Sequence, residues 1–282
     1  MSACDLDADV IVVGAGNAAA CAAIAARNNG ASVLMLESAP RDERGGNSTY
    51  TAGAMRYVFN GVEDVQSVVP DINEDTLANT DFGTYTEEQF FDDMFRVTQL
   101  RTDPDLCELL VKRSLPTLQW MRRQGVRFQT SHGRQAYKVD GRFQFWGGLS
   151  VEVWGGGPGL VDMLLTSAEK KSVRILYETA AISLLKDNDG VNGVRVRENG
   201  RERELRCKSV VLACGGFESN TEMRALSRAE LGSRQGSRYP LQYRRWNPDG
   251  ARHRRDALRT LVGRPCRRLG PECASFRRLG GR

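Results

Sequence analysis

The sequence predicts an α/β fold: a parallel sheet with helices wound on it, continued by a β-meander and interrupted by a mainly helical insertion. Three observations predict it. Apolar, β-branched bursts at Val10–Val13 and Ala31–Leu36 flank an alanine-rich helical run. Strand-like segments separated by turn residues crowd into 173–213. Between these regions, the apolar residues of 86–121 recur at helical spacing.

The first element decides most. The stretch Asp9–Ala26, DVIVVGAGNAAACAAIAA, offers three readings: a spanning helix, a secretory signal or a nucleotide-binding turn. A spanning helix needs about 20 mainly apolar residues, and this run stops at Arg27 with Asn17 and two glycines inside it. A secretory signal opens on positive charge, whereas Asp5, Asp7 and Asp9 lead into this run without a Lys or Arg. Strand, tight turn and helix remain, the helix ending at Asn28-Asn29-Gly30. The second burst follows and Glu37 closes it, 23 residues after Gly14, completing a βαβ unit. In such a unit Gly14 permits the tight turn, Gly16 brings backbone close to a pyrophosphate, and Ala19 lets the helix pack on the strand. The helix N-terminus offers amides and a positive dipole end to phosphate. Glu37 is placed to accept hydrogen bonds from ribose hydroxyls, and its charge disfavours a 2′-phosphate. A Rossmann-like dinucleotide site is the expectation.

Composition divides the chain. Forty percent hydrophobic residues over 282 positions suffice for one large or two ordinary domains. The net charge of +5 is uneven: Ser233–Arg282 holds 14 Arg, no Lys and 3 acids, while the first 232 residues hold 26 basic and 32 acidic ones. The body is therefore acidic. The last 50 residues lack any sustained period and are studded with Arg, Pro and Gly, the composition of out-of-frame translation from a GC-rich gene rather than of a basic nucleic-acid arm. The seven cysteines form no C-x-x-C and do not pair with His132 or His253, so no zinc or iron–sulfur set is expected. Scattered single cysteines suggest a reducing cytoplasm.

After Glu37, glycines and small hydroxyl residues gather at Gly45-Gly46-Asn47-Ser48 and Thr51-Ala52-Gly53, where backbone amides can approach a flat or phosphorylated ligand or simply form a surface turn. Thr86 and Gln89 announce a capped helix carrying Phe90, Phe91, Met94 and Phe95. Asp103-Pro104 announces another, through Leu106, Leu109 and Leu110 towards Trp120-Met121, which Pro116 is expected to bend or split. From Trp154 a glycine loop, WGGGPG, enters a further helix. Strands are expected at Val173–Tyr177, Ala181–Leu185, Val191–Val196, Glu202–Arg206 and Ser209–Ala213, with turns at Asp187–Gly190 and Glu198–Gly200. The last strand ends in Ala213-Cys214-Gly215-Gly216, a second place where backbone can touch a cofactor at the carboxyl edge of a sheet.

The stretches ADVIVVGAGNAAACAAIAA, VLMLESAP, GGNSTYTAGAMR, WGGGPGLVDML, ILYETAAISLL and VVLACGGFESN, in this order, resemble the two-dinucleotide-binding-domain flavoproteins of the fumarate reductase and succinate dehydrogenase flavoprotein superfamily. Within it they look most like the FAD-dependent tricarballylate dehydrogenases. The resemblance implies an FAD-binding domain in two parts, 1–53 and 149–232, the second with the meander. A cap module at 54–148 would carry the substrate side, and 233–282 would be a non-matching, unfolded tail. It implies that Gly14, Ala15, Gly16, Asn17 and Ala18 hold the FAD pyrophosphate and Glu37 the adenosine ribose, with Ser38 and Ala39 alongside. Gly45, Gly46, Asn47, Ser48, Thr51, Ala52 and Gly53 would run along the flavin, Ala181 would lie near adenine, and Ala213, Cys214, Gly215 and Gly216 would close the pocket. No histidine stands beside Gly45–Gly53, so FAD is expected to be non-covalent.

The activity implied is hydride exchange between flavin N5 and a carbon–carbon bond of a small polycarboxylate, with an unidentified electron acceptor or donor. The family's catalytic arginine and most carboxylate clamps fall beyond about residue 232, where this sequence departs from the pattern. No catalytic residue is therefore named, and the chain is expected to be incomplete and of little turnover alone. Arg56 and His132, in or near the cap, read as solvated or structural. The rival readings are an NAD-linked dehydrogenase, which shares the fingerprint, and a nucleic-acid binder acting through the Arg-rich tail, although nucleic acid is not an expected partner. Scattered single cysteines without a signal peptide make a cytoplasmic protein the expectation.

Overall fold

The computed structural model describes residues 6–145 and 147–216; the Arg-rich segment 233–282 lies outside the described residues. The chain opens with β1 (Ala8–Val13), α1 (Asn17–Asn28) and β2 (Val33–Leu36). There follow β3 (Ala54–Met55), α2 (Val62–Val68), α3 (Glu74–Ala78), β4 (Thr80–Asp81), α4 (Glu87–Thr98), α5 (Pro104–Arg123), β5 (Phe128–Thr130) and α6 (His132–Gln135). Next come β6 (Ala136–Val139), β7 (Arg142–Phe145), β8 (Val151–Val153) and α7 (Gly156–Lys170), and then β9 (Arg174–Leu176), β10 (Thr179–Asp187), β11 (Gly190–Glu198) and β12 (Arg201–Leu212). Among the described residues two compact units result: 6–46 with 168–216, and 47–167.

The first unit is built on a six-stranded sheet of order β10-β11-β12-β1-β2-β9. β1 runs parallel to β2 and β12, and β9 parallel to β2, while β10, β11 and the start of β12 form the antiparallel meander. Sequence patterning expects two strands at Glu202–Arg206 and Ser209–Ala213; they are one. The first half of β12 pairs with β11, and from Cys207 onward the strand pairs with β1. The residues between the halves contain no turn former: Cys207 is buried in the core, and Lys208 reaches Asp9 at 2.6 Å. Ile11, Val13, Leu34, Leu36, Val194, Val196, Leu205 and Val210 make the core that joins the meander to the parallel strands, each buried aliphatic side chain contributing about 1.5–3 kcal/mol before entropy. Ala19, Ala20 and Ala23 are buried on α1, so the alanine run is what lets this helix lie close to the sheet. Asn199 (φ 50°) and Gly200 (φ 76°) supply the two positive φ angles of a tight hairpin turn between β11 and β12.

In the second unit the caps form as their residues dictate. Thr86 and Gln89 make a reciprocal capping box on α4, and Asp103 Oδ1 accepts from the Leu106 amide at 3.1 Å on α5. Pro116 does not split α5, which continues for 20 residues. Its buried stripe of Cys107, Val111, Ser114, Leu118 and Met121 holds both halves against one core, and Ser114 Oγ ties the helix to the Val58 amide at 2.9 Å. Helices dominate this unit, yet two three-stranded sheets, β3-β8-β5 and β4-β7-β6, stand beside them. Strands of two to four residues are too short to display a period of two.

Candidate functional site

Register brings four strand ends level. Val13 lies opposite both Leu36 and Leu212, and Leu36 opposite Leu176. Beyond these ends, at one carboxyl edge, lie Gly14–Gly16, Glu37–Ala39 and Ala213–Cys214. The edge is closed by backbone: the Gly14 N–H donates to the Leu36 carbonyl at 2.7 Å, and the Ala213 N–H to the Val13 carbonyl at 2.9 Å. Gly14 has φ +114°, and a Cβ added there would lie 2.9 Å from the Ala213 carbonyl carbon and nearer still to its oxygen. The first glycine is thus demanded twice, by its dihedral and by the neighbouring strand. Only the first demand is visible in the motif.

From this corner α1 departs. Gly16 is its extended N-cap, no side chain caps it by hydrogen bond and no acidic residue stands in its first turn, although the Asn17 side chain accepts from the Ala18 amide at 2.8 Å. Gly14 and Ala15 are buried, Gly16 is half-buried, and Asn17 and Ala18 are exposed. The positive end of the helix dipole therefore faces outward with no fixed negative charge in its first turn.

Glu37, only 1% exposed, ends β2. Its Oε1 accepts from the Ala39 amide at 2.9 Å and the Ser38 hydroxyl at 3.4 Å. Its backbone N–H donates to Leu176 and its carbonyl accepts from Thr179, both at 2.8 Å, while the Glu178 N–H donates to Ala39. The Glu37–Ala39 segment is thereby laced to the β9–β10 connection. Ala181, two residues into β10 from Thr179, packs against the sheet core and pairs with Val196, so it sits in the meander rather than in an edge loop. Gly45 and Gly46 adopt φ +97° and +54°, and Gly215 φ +76°, conformations that favour glycine; Gly216 follows as the last described residue.

In the second unit, Asn47 and Ser48 lie in a 3₁₀ turn, and Thr51, Ala52 and Gly53 follow it. The Thr51 hydroxyl donates to the Ser48 carbonyl at 3.1 Å, and the Gly53 N–H to the Thr51 hydroxyl at 3.2 Å. This segment meets the glycine loop before α7 backbone to backbone: Gly157 N–H donates to Thr51 at 2.9 Å, and Val153 N–H to Gly53 at 2.9 Å. A Cβ on Gly53 would stand 3.0 Å from the Gly156 backbone, and one on Gly157 2.6 Å from the Thr49 carbonyl oxygen. Gly156 and Gly157 were not singled out by sequence reasoning. Their signal is the WGGGPG run itself, read there only as a loop entering a helix.

Arg56 and His132 sit in closed networks. Arg56 Nη1 bonds Asp93 at 2.8 Å and the Tyr85 hydroxyl at 2.9 Å, while Asp93 also receives Arg96 and Tyr85, each at 2.7 Å. The guanidinium of Arg96 and the Tyr85 hydroxyl hold the Asp93 carboxyl below its usual range, and burial, with Asp93 beside it, pushes Tyr85 up to about 12. His132 places Nε2 on the Thr80 hydroxyl at 3.0 Å and Nδ1 on that of Thr130 at 2.9 Å, among the rings of Phe82, Phe143 and Phe145. Burial lowers its pKa. Among the described residues no group of three or more His, Cys, Asp or Glu is placed to hold a metal ion, and no helix is long and apolar enough to cross a membrane.

The FAD binding domain family matches residues 9–237. The NADH:fumarate oxidoreductase of Klebsiella pneumoniae (strain 342) is 27% identical over 224 residues, covering 79% of this chain and 22% of that protein. The fumarate reductase (cytochrome) of Shewanella frigidimarina is 28% identical over 216 residues, covering 76% and 34%. The chain thus spans about a third or less of the length of these relatives. In architecture it is similar to a 3-ketosteroid-Δ4-(5α)-dehydrogenase from Rhodococcus jostii RHA1, with a TM-score of 0.66 at 23% identity over 86% of this chain and 53% of that one. The long match, laid over a strand–glycine–helix corner and a buried acid one strand away, places this chain in the FAD binding domain family, within the fumarate reductase and succinate dehydrogenase flavoprotein superfamily.

Proposed function

We propose that the chain binds FAD non-covalently, with Gly14, Ala15, Gly16, Asn17 and Ala18 at the pyrophosphate and Glu37, Ser38 and Ala39 at the adenosine. In this reading it is the flavin-binding portion of an oxidoreductase that exchanges a hydride with a carbon–carbon bond flanked by carboxylates, in a tricarballylate-like substrate. The single observation that carries the reading is the start of α1, which opens on exposed Asn17 and Ala18 and has no acid in its first turn. A diphosphate there meets amide donors and the dipole without like-charge repulsion.

When bound, FAD supplies the hydride chemistry. What this chain's residues do is hold and orient. Gly14 and Ala213 fix the corner, and the laced Glu37 carboxylate is assigned to the ribose hydroxyls on the resemblance described above. Ala181, the 213–216 segment and Gly45, Gly46, Asn47, Ser48, Thr51, Ala52 and Gly53 are assigned to adenine, pocket closure and flavin on the resemblance described above. An electron donor or acceptor of unidentified kind completes the cycle, and the proposed setting is the cytoplasm. Titration of the 282-residue chain with FAD, followed by the flavin band near 450 nm that survives gel filtration, is expected to show saturable one-to-one uptake. Glu37→Gln, which removes one charged acceptor, is expected to weaken it about tenfold. Uptake that never saturates would refute the reading.

A further inference from the structure

We propose that a cleft in the second unit, lined by the start of α2 and the β4–β7 ribbon, is a binding site for a zwitterionic α-amino acid with an apolar side chain. The cleft measures about 510 Å³, within the range of small-molecule sites. Val62 and Leu77 line it with apolar surface, Asn60 and Gln66 with amides, and Asp81 and Arg142 with opposite charges.

The pleat puts both charges there. β4 and β7 run parallel, with Thr80 opposite Phe143 and Asp81 opposite Gln144. Thr80 and Phe143 turn one face of this ribbon to His132. Asp81 and Arg142, each one residue removed from that pair, therefore belong to the other face, and both are exposed. The register offsets their backbones by about 7 Å along the strands and about 5 Å across them. They do not neutralise each other. Asp81 Oδ1 accepts from the Gly83 N–H at 3.0 Å and Arg142 Nη2 donates to the Thr80 carbonyl at 3.4 Å, and among the described residues neither has an ion pair. On the meander, by contrast, Arg195, Arg197 and Arg203 each close on a glutamate of the neighbouring strand, at 3.0, 2.8 and 3.0 Å.

Charge selects the ligand. A simple anion would gain Arg142 but meet Asp81 as a like charge, and a simple cation would meet the reverse. A zwitterion satisfies both, with its carboxylate on the guanidinium, its ammonium on Asp81 and its side chain against Val62 and Leu77. The site is open and its charges are solvated, so binding is weak, with a Kd on the order of 1 mM.

Heteronuclear NMR titration of the isotope-labelled 282-residue chain with L-leucine is expected to show saturable shifts centred on the Asp81, Gly83 and Arg142 amides. N-acetyl-L-leucine, which lacks the ammonium, and L-leucinamide, which lacks the carboxylate, are each expected to bind about tenfold more weakly. Arg142→Gln and Asp81→Asn are each expected to weaken L-leucine about tenfold, whereas Asp81→Asn is expected to leave N-acetyl-L-leucine unweakened, because the charge it leaves unanswered is gone. The asparagine keeps an acceptor for Gly83, circular dichroism checks the fold, and the two derivatives test the charges without any substitution. Shifts that do not saturate by about 50 mM, derivatives that bind as well as leucine, or an equal loss of leucine and its acetyl form in Asp81→Asn overturns the proposal.

Discussion

The carboxyl-edge corner of the first unit and the Asp93 and His132 networks of the second are built from opposite materials. At the corner the working groups are main-chain N–H and C=O, and the side chains are small so that Gly14 can lie against Ala213 and Ala19 can be buried. In the networks the backbone is ordinary and long side chains do the joining, across 37 residues from Arg56 to Asp93 and 52 from Thr80 to His132. The difference teaches what each tolerates. The glycine turn of the corner should fail when a single carbon is added, while the networks should accept changes of size and respond to protons.

The largest expected effect breaks the corner. Gly14→Val imposes a β-branched side chain at φ +114° and drives it into the Ala213 carbonyl, a backbone group that cannot swing away. Strain and overlap together cost about 3 kcal/mol or more, and FAD uptake should be lost with them. Gly30→Ala separates the two causes. Gly30 also has positive φ, +83°, but a Cβ there has no heavy atom within 4 Å. It should cost about 1 kcal/mol from the dihedral alone and leave FAD uptake intact. Equal losses from both substitutions, measured by denaturant midpoint and flavin titration, would show that the contact with Ala213 contributes nothing.

A smaller effect breaks the first network. Asp93 gathers Arg56, Arg96 and Tyr85 on its two oxygens. Asp93→Asn removes two ion pairs at a partly exposed site, a loss of about 1–2 kcal/mol. The bond from Arg96 and that from Tyr85 depress the carboxyl pKa in the folded state. Its stabilisation is therefore whole above the unfolded carboxylate value of about 3.9 and is lost as pH falls through the folded value. The wild type should lose stability over that acid window faster than Asp93→Asn does. Superimposable acid limbs would remove the network from the account.

These materials also explain what could be read in advance. The corner was legible because its requirements are local: a glycine for a dihedral, alanines for close packing, and an acid at the next strand's end all fall within Val10–Glu37. The capping residues of α4 and α5 were legible for the same reason. Continuity of β12 was not, since one strand changes partner from β11 to β1 at Cys207 and its alternation breaks at Lys208 and Ser209, both exposed. Nor was the contact of Gly53 with Gly156, whose reason is a backbone one hundred residues away. The short strands around Glu152 carry too few residues to show alternation, and the Asp93 and His132 networks need the fold before their partners meet.

The smallest expected effect sharpens the comparison within the second unit itself. His132 is held neutral by burial among Phe82, Phe143 and Phe145, and its pKa lies below the unfolded value of about 6.5. As pH falls below that unfolded value, the unfolded chain takes up a proton that the folded chain refuses, so stability declines until the folded value is passed. This window lies above that of Asp93, and the two can be separated. His132→Asn keeps polar groups near Thr80 and Thr130 but does not titrate, so its denaturant midpoint should be flat between about pH 7 and 5.5 where the wild type slopes downward. Thr80→Val should leave the slope in place, because the burial that causes it comes from the rings and not from the hydroxyl. A wild-type midpoint that does not change over this interval would mean that water reaches the ring, and that the second unit answers to protons through Asp93 alone.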